Sequence, residues 1–435
     1  MLFYMMKFSD LNLHRTILQA ISDEGYESPT PIQQQAIPAI LDEKDLVGTA
    51  QTGTGKTAAF AIPMINMLHP IVGSAKKRKS IRALVITPTR ELALQVGESF
   101  DNYGKYTNIR QLTVFGGVNQ APQVDQLKKG VDILIATPGR LLDLHKQGFI
   151  NLDHLHFLVL DEADLMLDMG FINDVKKIIK LTPDNRQTLL FSATMPLPIR
   201  ELADTFLTDP KYVSVAPISS TAELVKQQLY LVDKADKRKL LYHLIRNENL
   251  KNVLVFTRTK HGADNVVKAL KKNGIEAGAI HGDKSQSARQ RMLEGFKNKE
   301  ISVLVATDIA ARGIDIESLP FVINFDLPNI PETYVHRIGR TGRAGNSGLA
   351  ISFCGRDELP YLKDIEKLIR LKIKVIDEHP YPYGNQEGES KNEEGQKPDL
   401  RNKKNNARSG KSKPGSNNSK SRKSEASKKK KRRWY

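Results

Sequence analysis

The chain has 435 residues, 40% of them hydrophobic and 26% charged, which is the composition of a folded protein with two or more domains. These proportions exclude a collagen-like fibre, a coiled-coil rod and a chain disordered throughout. No run of 18 apolar residues is present to predict a membrane span, and a single cysteine, Cys354, excludes an internal disulfide and a multi-cysteine zinc site. Because no disulfide can form within the chain, we expect a protein of the reducing cytoplasm. The net charge of the chain is +17.

Short apolar runs alternate with longer helical segments from residue 45 to residue 355. In the first half the predicted strands are Leu46–Thr49, Ala83–Thr87, Leu112–Phe115, Ile133–Thr137, Phe157–Leu160 and Thr188–Phe191. In the second half they are Val253–Phe256, Ala277–Ile280, Val303–Thr307, Phe321–Phe325 and Leu349–Phe353. Most runs are continuously apolar, as in strands buried on both faces, and their alternation with helices predicts parallel sheets.

Two such series predict two tandem α/β domains. The first is predicted over residues 1–210 and the second over 223–380. A linker is predicted over 211–222, where Pro217 and a Ser-Ser-Thr run interrupt the pattern.

The end of the chain has a different composition. Residues 381–435 contain almost no aliphatic side chains, so we expect them to be disordered. From residue 401 onward the segment is basic, with 15 Lys and Arg against one acid, Glu425, whereas the rest of the chain holds 51 basic and 48 acidic residues. Such a segment is a candidate contact for a polyanion.

A phosphate-binding loop is indicated directly after the first predicted strand. The segment reads Ala50-Gln51-Thr52-Gly53-Thr54-Gly55-Lys56-Thr57 and precedes a helical run. A strand, a glycine turn and a helix start direct backbone N–H groups at phosphate. We expect Lys56 to reach the β- and γ-phosphates and Thr57 to bind Mg²⁺. Ala50 departs from the usual first glycine, and an ordinary turn is the alternative.

An acidic cluster follows the predicted strand Phe157–Leu160. A phosphate loop requires a carboxylate for its metal at the end of a neighbouring strand. In Asp161-Glu162-Ala163-Asp164 we expect Asp161 to hold Mg²⁺ through water and Glu162 to orient or deprotonate the attacking water. The alternative is a solvated helix start, where carboxylates are favoured anyway.

These segments and their order resemble the DEAD-box ATP-dependent RNA helicases, and the resemblance extends from about residue 8 to residue 353. Further matching segments are Phe8, Gly25–Gln33, Pro88–Leu92, Gly116-Gly117, Thr137–Arg140, Ser192–Thr194, Val255–Arg258, Gln286–Arg289, Ala306–Asp308, Arg312–Asp315 and His336–Arg343. Ala50 is usual in this family. Thr257–Gly262 and Asn324–Pro328 look most like the bacterial RhlE-type group. The resemblance implies two RecA-like domains with ATP between them and RNA across both.

The resemblance also implies roles for individual residues. RNA contacts are implied for Pro88, Thr89, Arg90, Gly117, Thr137, Pro138, Arg140, Thr257, Arg258, Arg289 and Thr307. Coupling of hydrolysis to RNA binding is implied for Ser192, Thr194, Asp164 and His336, and a ribose contact for Asp315. Arginine, glycine and threonine suit phosphate and 2′-hydroxyl contacts, which carry shape but not base identity.

Three residues are candidates for binding the base. The amide of Gln33 offers a donor and an acceptor that complement N6 and N7 of adenine, so we expect it to select ATP over GTP. A surface polar residue is the alternative. Phe8 or Tyr26 is expected to stack on the base, although apolar packing explains either ring alone equally well. Tyr26 stands where the family often has Phe.

Arg337, Arg340 and Arg343 form a cationic segment with no acid between residues 333 and 356. We expect an anion from elsewhere, and Arg340 and Arg343 are the candidates to stabilise the γ-phosphate. Since they lie in the second domain, the catalytic site would be complete only when the domains close. A solvated basic loop is the alternative.

The function predicted from these features is an RNA-dependent ATPase, using ATP and Mg²⁺, that unwinds short RNA duplexes or remodels RNA–protein complexes. One alternative is an ATP-gated RNA clamp or chaperone with little unwinding. Another is a DNA motor or a small-molecule phosphotransferase. By resemblance, ribosome assembly intermediates and messenger RNA decay complexes are candidate targets.

Overall fold

Parallel strands form two sheets in the computed structural model, which describes residues 6–51, 53–74, 80–215, 225–311, 319–342 and 348–383. The first sheet contains β1 (Leu46–Thr49), β2 (Ala83–Ile86), β3 (Gln111–Val114), β4 (Ile133–Ala136), β5 (Phe157–Leu160), β6 (Gln187–Ser192) and β7 (Lys211–Ser214). The second contains β8 (Lys226–Leu231), β9 (Val253–Thr257), β10 (Ala277–Ile280), β11 (Val303–Thr307), β12 (Phe321–Asn324), β13 (Leu349–Cys354) and β14 (Lys374–Val375). The predicted fold class, two α/β domains with parallel sheets, is confirmed. We call the parts built on the two sheets the first and second domains.

Helices connect the parallel strands. In the first domain they are α1 (Arg15–Asp23), α2 (Pro31–Leu41), α3 (Lys56–Ser74), α4 (Arg90–Gly104), α5 (Ala121–Lys129), α6 (Pro138–Lys146), α7 (Ala163–Asp168), α8 (Ile172–Ile179) and α9 (Leu197–Asp204). In the second they are α10 (Lys237–Asn247), α11 (Lys260–Lys272), α12 (Gln286–Lys297), α13 (Asp308–Ala311), α14 (Pro331–Ile338) and α15 (Leu359–Ile369), and short 3₁₀ turns occupy Phe8–Leu11 and Arg356–Glu358. Among the helices that the structure describes, none has the length and apolar content of a membrane span.

The two sheets have the same strand order. The first runs β3-β4-β2-β5-β6-β1-β7 and the second β10-β11-β9-β12-β13-β8-β14. In both domains the helix after the first strand begins with a buried lysine, Lys56 for α3 and Lys237 for α10.

Hydrophobic residues pack on both faces of each sheet. Along β4, Ile133 and Ile135 enter the core on one face of the first sheet, whereas Leu134 and Ala136 enter the core on the other. Burial on both faces explains why these strands are continuously apolar in sequence. Cys354 lies in the core of the second domain, and burial raises the pKa of its thiol to about 12, so it is a structural residue.

Three strands were not anticipated, because their sequences mix polar and apolar residues. Lys211–Ser214, placed in the predicted linker 211–222, pairs with β1 as an edge strand of the first sheet. The linker boundary at 211 was therefore wrong by at least four residues. The strands β8 (Lys226–Leu231) and β14 (Lys374–Val375) also contain polar residues, so their sequences did not predict strands. Residues 381–383 of the predicted disordered segment 381–435 are described, and the Tyr383 hydroxyl donates to the Cys354 carbonyl at 2.6 Å, so the expected disorder was wrong for these residues. The rest of that segment, residues 384–435, lies outside the described residues.

Candidate active site

A cavity of about 740 Å³ opens where β1, β5 and β6 end, a size suited to a nucleotide. Both domains contribute to its wall. Of the residues predicted for nucleotide chemistry and coupling, it is lined by Tyr26, Gln33, Gly53, Gly55, Lys56, Thr57, Asp161, Glu162, Asp164, His336 and Arg340. Three predicted site residues, Thr52, Asp315 and Arg343, lie outside the described residues.

The phosphate-binding loop lies between β1 and α3, as predicted. Gly53 and Gly55 have φ angles of 79° and 91°, which glycine adopts without strain. Inside the loop, the Thr54 hydroxyl donates to the Gln51 carbonyl at 2.7 Å, and Ala50 is buried. A hydrogen bond within the loop therefore contributes to its shape.

Lys56 is buried at the base of the cavity with an acid as its partner. Its ammonium donates to the Ala50 carbonyl at 2.9 Å and lies 2.7 Å from a Glu162 carboxylate oxygen. Burial alone would lower the pKa of Lys56, but Glu162 and Asp161 raise it above its usual value. The lysine is therefore charged, as a phosphate-binding group must be.

Asp161 and Glu162 follow β5, but β6 separates that strand from the phosphate-loop strand β1. The expectation of a directly neighbouring strand was therefore wrong by one strand. Glu162 has a left-handed backbone, with φ and ψ both 55°, and its side chain reaches Lys56. Asp161 is 2% exposed, and its Oδ1 atom has no hydrogen-bond partner among the residues described. Burial and the adjacent Glu162 raise the pKa of Asp161 above its usual range.

The intervening strand β6 places Ser192 and Thr194 between the phosphate loop and the acidic cluster. Thr194 donates to the Asp164 carboxylate from its backbone N–H at 2.9 Å and its hydroxyl at 2.8 Å. The Ser192 hydroxyl accepts from the Asp164 N–H at 3.1 Å. Burial would raise the pKa of Asp164, but His336 of the second domain, Lys56 and the Thr194 bond hold it below its usual value. The four residues predicted to couple the two activities therefore interact.

The donor set suits a weakly held magnesium ion. No group of three or more His, Cys, Asp or Glu side chains within the described segments forms a metal cage. Mg²⁺ does not require one, since it commonly binds through one or two carboxylates, waters and substrate phosphates. The orphaned Oδ1 of Asp161 and the hydroxyl of Thr57 are oxygen ligands of the right kind beside the phosphate loop.

Gln33 is buried against the phosphate loop. Its amide nitrogen donates to the Gly55 carbonyl at 3.2 Å, and its amide oxygen accepts from the Thr30 N–H at 2.9 Å. A methyl group at Gly55 would collide with this amide. The alternative of a surface polar residue is therefore wrong, and the side chain links α2 to the loop.

The two aromatic candidates differ in position. Tyr26 lines the cavity and is 42% exposed. Phe8 is 4% exposed and packs in the core of the first domain, so apolar packing is the correct interpretation of that ring. Of this pair, only Tyr26 is available to a base in the cavity.

The second domain contributes His336 and Arg340 to the cavity wall. Arg337 is different, because its guanidinium is bound to Asp308 at 2.6 and 2.8 Å and to the Asp326 carbonyl at 2.7 Å. The anion expected from elsewhere is, for this arginine, Asp308, which α13 brings beside it. Arg337 is 1% exposed and holds the second domain together.

The residues predicted to contact RNA follow other strands than the residues predicted to bind the nucleotide. In the first sheet they follow β2, β3 and β4, which are adjacent, whereas the nucleotide residues follow β1, β5 and β6. In the second sheet Thr257 ends β9 and Thr307 ends the adjacent β11. The carboxyl edge of the first sheet is thus divided between the two sets of residues.

Burial separates these residues into two groups. Four have buried side chains, which shape their loops and are not open to a ligand: Pro88, Thr89, Pro138 and Thr257. Thr89, for example, caps α4 by accepting from the Leu92 N–H at 3.3 Å. The remaining seven are at least partly accessible: Arg90, Gly117, Thr137, Arg140, Arg258, Arg289 and Thr307.

Arg90 and Arg140 are held by loops of the first domain. The Arg90 guanidinium lies against Gly117, where a methyl group would collide with it. Arg140 donates to the Gln123 amide oxygen at 2.9 Å and to the Val118 carbonyl at 3.1 Å. Both side chains are therefore oriented by the fold.

Two arginines of the second domain have carboxylate partners. Arg258 donates to the buried Glu358 at 2.5 Å. Arg289 lies 3.0 Å from Glu91 of the first domain, and Gln286 donates to the same carboxylate at 3.0 Å. Arg289, predicted to contact RNA, thus also joins the two domains.

Sequence reasoning missed the wall that α4 adds to the cavity. Gln95, Glu98, Ser99, Asn102 and Tyr103 line it from one face of this helix. Their spacing is that of an ordinary amphipathic helix, and no local pattern distinguishes a ligand-facing side from a solvent-facing one.

A phosphate loop facing strand-end carboxylates, on the first of two parallel-sheet domains, defines a two-domain nucleoside triphosphatase. Residues 30–202 match the DEAD/DEAH box helicase family, and residues 236–345 match the helicase conserved C-terminal domain. The chain is 45% identical over 368 residues to the ATP-dependent RNA helicase CshA of Limosilactobacillus reuteri, covering 85% of this chain and 73% of that protein. It is 44% identical over 379 residues to CshA of Geobacillus kaustophilus, covering 86% and 80%.

Among solved structures, S. cerevisiae Dbp5 bound to RNA and ADP BeF3 is similar, with a TM-score of 0.74 and 31% identity over 85% of this chain and 95% of that one. The chain therefore belongs to the DEAD-box ATP-dependent RNA helicases. The predicted function, ATP-dependent unwinding of RNA, is confirmed at this level.

Proposed function

We propose that ATP is hydrolysed in the 740 Å³ cavity and that RNA drives hydrolysis by holding the two domains together. The supporting observation is that Lys56 and Glu162 of the first domain share this cavity with His336 and Arg340 of the second. A site divided in this way loses part of its charge when the domains separate, so closure controls the reaction.

Lys56 is proposed to neutralise the β- and γ-phosphates. Its ammonium lies 2.7 Å from a Glu162 carboxylate oxygen, so a phosphate bound there would replace one anionic partner by another. That exchange releases the Glu162 carboxylate, which then orients the attacking water and accepts its proton.

Asp161 and Thr57 are proposed to hold Mg²⁺, which when bound neutralises charge on the phosphates. The partnerless Oδ1 of Asp161 supports this role, because a buried carboxylate oxygen without a donor favours a cation. Asp164, bound to Thr194, keeps β6 in register with the acidic cluster.

Arg340 and Arg343 are proposed to stabilise charge on the γ-phosphate as hydrolysis proceeds. Arg340 lines the cavity from the second domain, and Arg343 follows it by three residues. An arginine supplied in this way contributes on the order of 10³ or more to turnover.

RNA is proposed to lie along the divided carboxyl edge, contacted by accessible side chains such as Arg90, Arg140 and Arg258. These groups reach phosphate and ribose, so binding would be independent of sequence. The domain limits are proposed as predicted, 1–210 and 223–380, with the first domain extended to residue 214 so that it includes β7.

Three finer assignments concern the subgroup, the RNA targets and the location. The RhlE-type subgroup depends on Thr257–Gly262 and Asn324–Pro328 alone, and the name CshA carried by the relatives above counts against it. Ribosome assembly intermediates and messenger RNA decay complexes remain candidate targets, and the cytoplasm remains the proposed location.

The decisive experiment compares ATP turnover and duplex release by the full chain. Turnover should rise with single-stranded RNA and not with DNA of the same sequence, which separates this function from a DNA motor and a phosphotransferase. Release of a short RNA duplex that needs ATP separates it from an ATP-gated clamp. Lys56→Ala should lose both activities, so residual activity in that variant would reveal contamination.

A further inference from the structure

Two tyrosines meet at the rim of the nucleotide cavity. Tyr26 follows the turn at Gly25, whose φ is 76°, and its hydroxyl lies 3.3 Å from the hydroxyl of Tyr103 on α4. The ring centroids are 6.2 Å apart and the rings are inclined by 54°. Both residues line the cavity, but Tyr26 is 42% exposed and Tyr103 only 5%.

Their different exposure gives the rings different roles. The largely exposed Tyr26 ring can stack on a base, whereas the Tyr103 ring is fixed in the core of the first domain. Burial raises the pKa of Tyr103, with the Tyr26 hydroxyl as a second cause, so its hydroxyl keeps its proton. Tyr103 therefore offers a rigid hydrogen-bonding group to the exposed ring of Tyr26.

The same end of α4 holds the neighbouring residues of that turn. Asn102 donates to the Glu24 carboxylate at 3.2 Å, and the Tyr106 hydroxyl donates to Asp23 at 2.6 Å. Lys105 lies 2.7 Å from the same Asp23. The backbone before Tyr26 is thus anchored to the helix, and the remaining freedom is the orientation of the Tyr26 ring.

We propose that Tyr103 is a positioning residue for the nucleotide base, whose hydroxyl holds the Tyr26 ring in the orientation that stacks on it. This role rests on the proposed ATP site. It is specific to a tyrosine at position 26, since a phenylalanine there has no hydroxyl to be held.

The test uses Tyr103→Phe, Tyr26→Phe and the double variant of the full chain, with saturating RNA. Loss of one neutral hydrogen bond should raise the KM for ATP about fivefold in each single variant and no further in the double variant, with kcat unchanged. Inhibition by inorganic tripolyphosphate, which has no base, should stay the same. Tyr106→Phe is the matched control, because it loses a hydroxyl bond on the same segment outside the cavity, and its KM should equal that of wild type.

The role would be overturned by an unchanged KM in Tyr103→Phe, by additive effects in the double variant, or by equal weakening of inhibition by tripolyphosphate. A fall in kcat at constant KM would also overturn it, since that indicates a structural effect. Wild-type protein that fails to hydrolyse ATP would remove the proposed function and this role together, whereas a normal wild-type enzyme beside an unaffected Tyr103→Phe would remove this role alone.

Discussion

The carboxylate of Glu91 lies 3.0 Å from the guanidinium of Arg289, and this ion pair joins the first domain to the second. Glu91 is the second residue of α4, directly after Arg90, one of the proposed RNA contacts. Both side chains are largely buried, at 9% and 13% exposed, so water screens the pair only weakly. A single helix start therefore carries a proposed RNA contact and a contact between domains.

We predict that Glu91→Gln weakens RNA-stimulated closure, because it removes one charge from a desolvated pair. The RNA concentration that gives half-maximal ATP turnover should rise by about tenfold or more, as for other buried charge pairs. Turnover without RNA should not change. The measurement is ATPase rate against RNA concentration.

Two further variants make this prediction specific. Asp174→Asn removes the exposed pair between Asp174 and Lys177, which are 2.8 Å apart, and should behave as wild type. Glu91→Asp keeps the negative charge and should lose less than Glu91→Gln. An unchanged RNA requirement in Glu91→Gln would mean that the closed domains do not depend on this pair.

We predict that replacing the two partners of the buried Lys56–Glu162 pair has opposite effects on ATP binding. Glu162→Gln should keep ATP binding, because Lys56 loses a competing anion, but lower turnover by about 10² or more through loss of the proposed base. Lys56→Ala should lose tight ATP binding. Direct nucleotide titration and single-turnover hydrolysis separate the two, and Lys44→Ala, at an exposed position near β1, is the control. Normal turnover in Glu162→Gln would remove Glu162 from the catalytic residues.

Replacing Gln33 should affect both base choice and the phosphate loop. Gln33→Ala removes the proposed adenine contact, so the preference for ATP over GTP should narrow by about fivefold or more. It also removes the bond to the Gly55 carbonyl, so affinity for ATP itself should fall. Gln35→Ala, two residues further along α2 and exposed, is the matched control. Equal selectivity in the Gln33 variant and wild type would show that another group identifies the base.

Removal of the residues after 383 should weaken RNA binding in a salt-dependent way. Residues 401–435 carry a net charge of +14, and each phosphate neutralised on a single strand contributes about −0.7 to the slope of log affinity against log salt. About five contacts would therefore contribute about −3.5 to that slope. Turnover at saturating RNA should be unchanged, since the proposed nucleotide site ends at residue 343. Titration of both forms with a short single-stranded RNA at several salt concentrations measures the difference.

A variant with glutamine at every Lys and Arg of residues 401–435 keeps the length of the chain and removes its charge. It should behave like the truncated form. Parallel salt dependences for all three proteins would show that this segment does not bind RNA.

Prediction from sequence succeeded where the chemistry is local. The phosphate loop, the acids after β5 and the apolar strands all depend on residues adjacent in the chain. It failed for β7, whose residues Lys211 and Tyr212 are exposed at a sheet edge, so no apolar run marks it. It left two interpretations of Phe8 open, because a single aromatic residue has the same local pattern in a core as beside a ligand.

Prediction from sequence also missed contacts between residues that are distant in the chain. Asp308 binds Arg337 and Glu91 binds Arg289 only because separate elements are packed together. No acid lies between residues 333 and 356 in the sequence, but this local composition carries no information about the acid that α13 brings close to Arg337 in the fold. The hydroxyl contact between Tyr26 and Tyr103 spans 77 residues and is invisible for the same reason.

The shared strand order of the two sheets raises the question of how many nucleotides one chain binds. Lys56 and Lys237 occupy equivalent places, each at the start of the helix that follows the first strand of its sheet. The loop before Lys237 has no glycine and contains Asp233 and Asp236, and the Lys237 ammonium is enclosed by Glu358 at 2.6 Å and the Phe325 carbonyl at 2.8 Å. Phosphate would meet acids there instead of free N–H groups. Although the same architecture occurs in both domains, one chain should therefore bind one nucleotide. The second domain serves instead to complete the nucleotide site of the first.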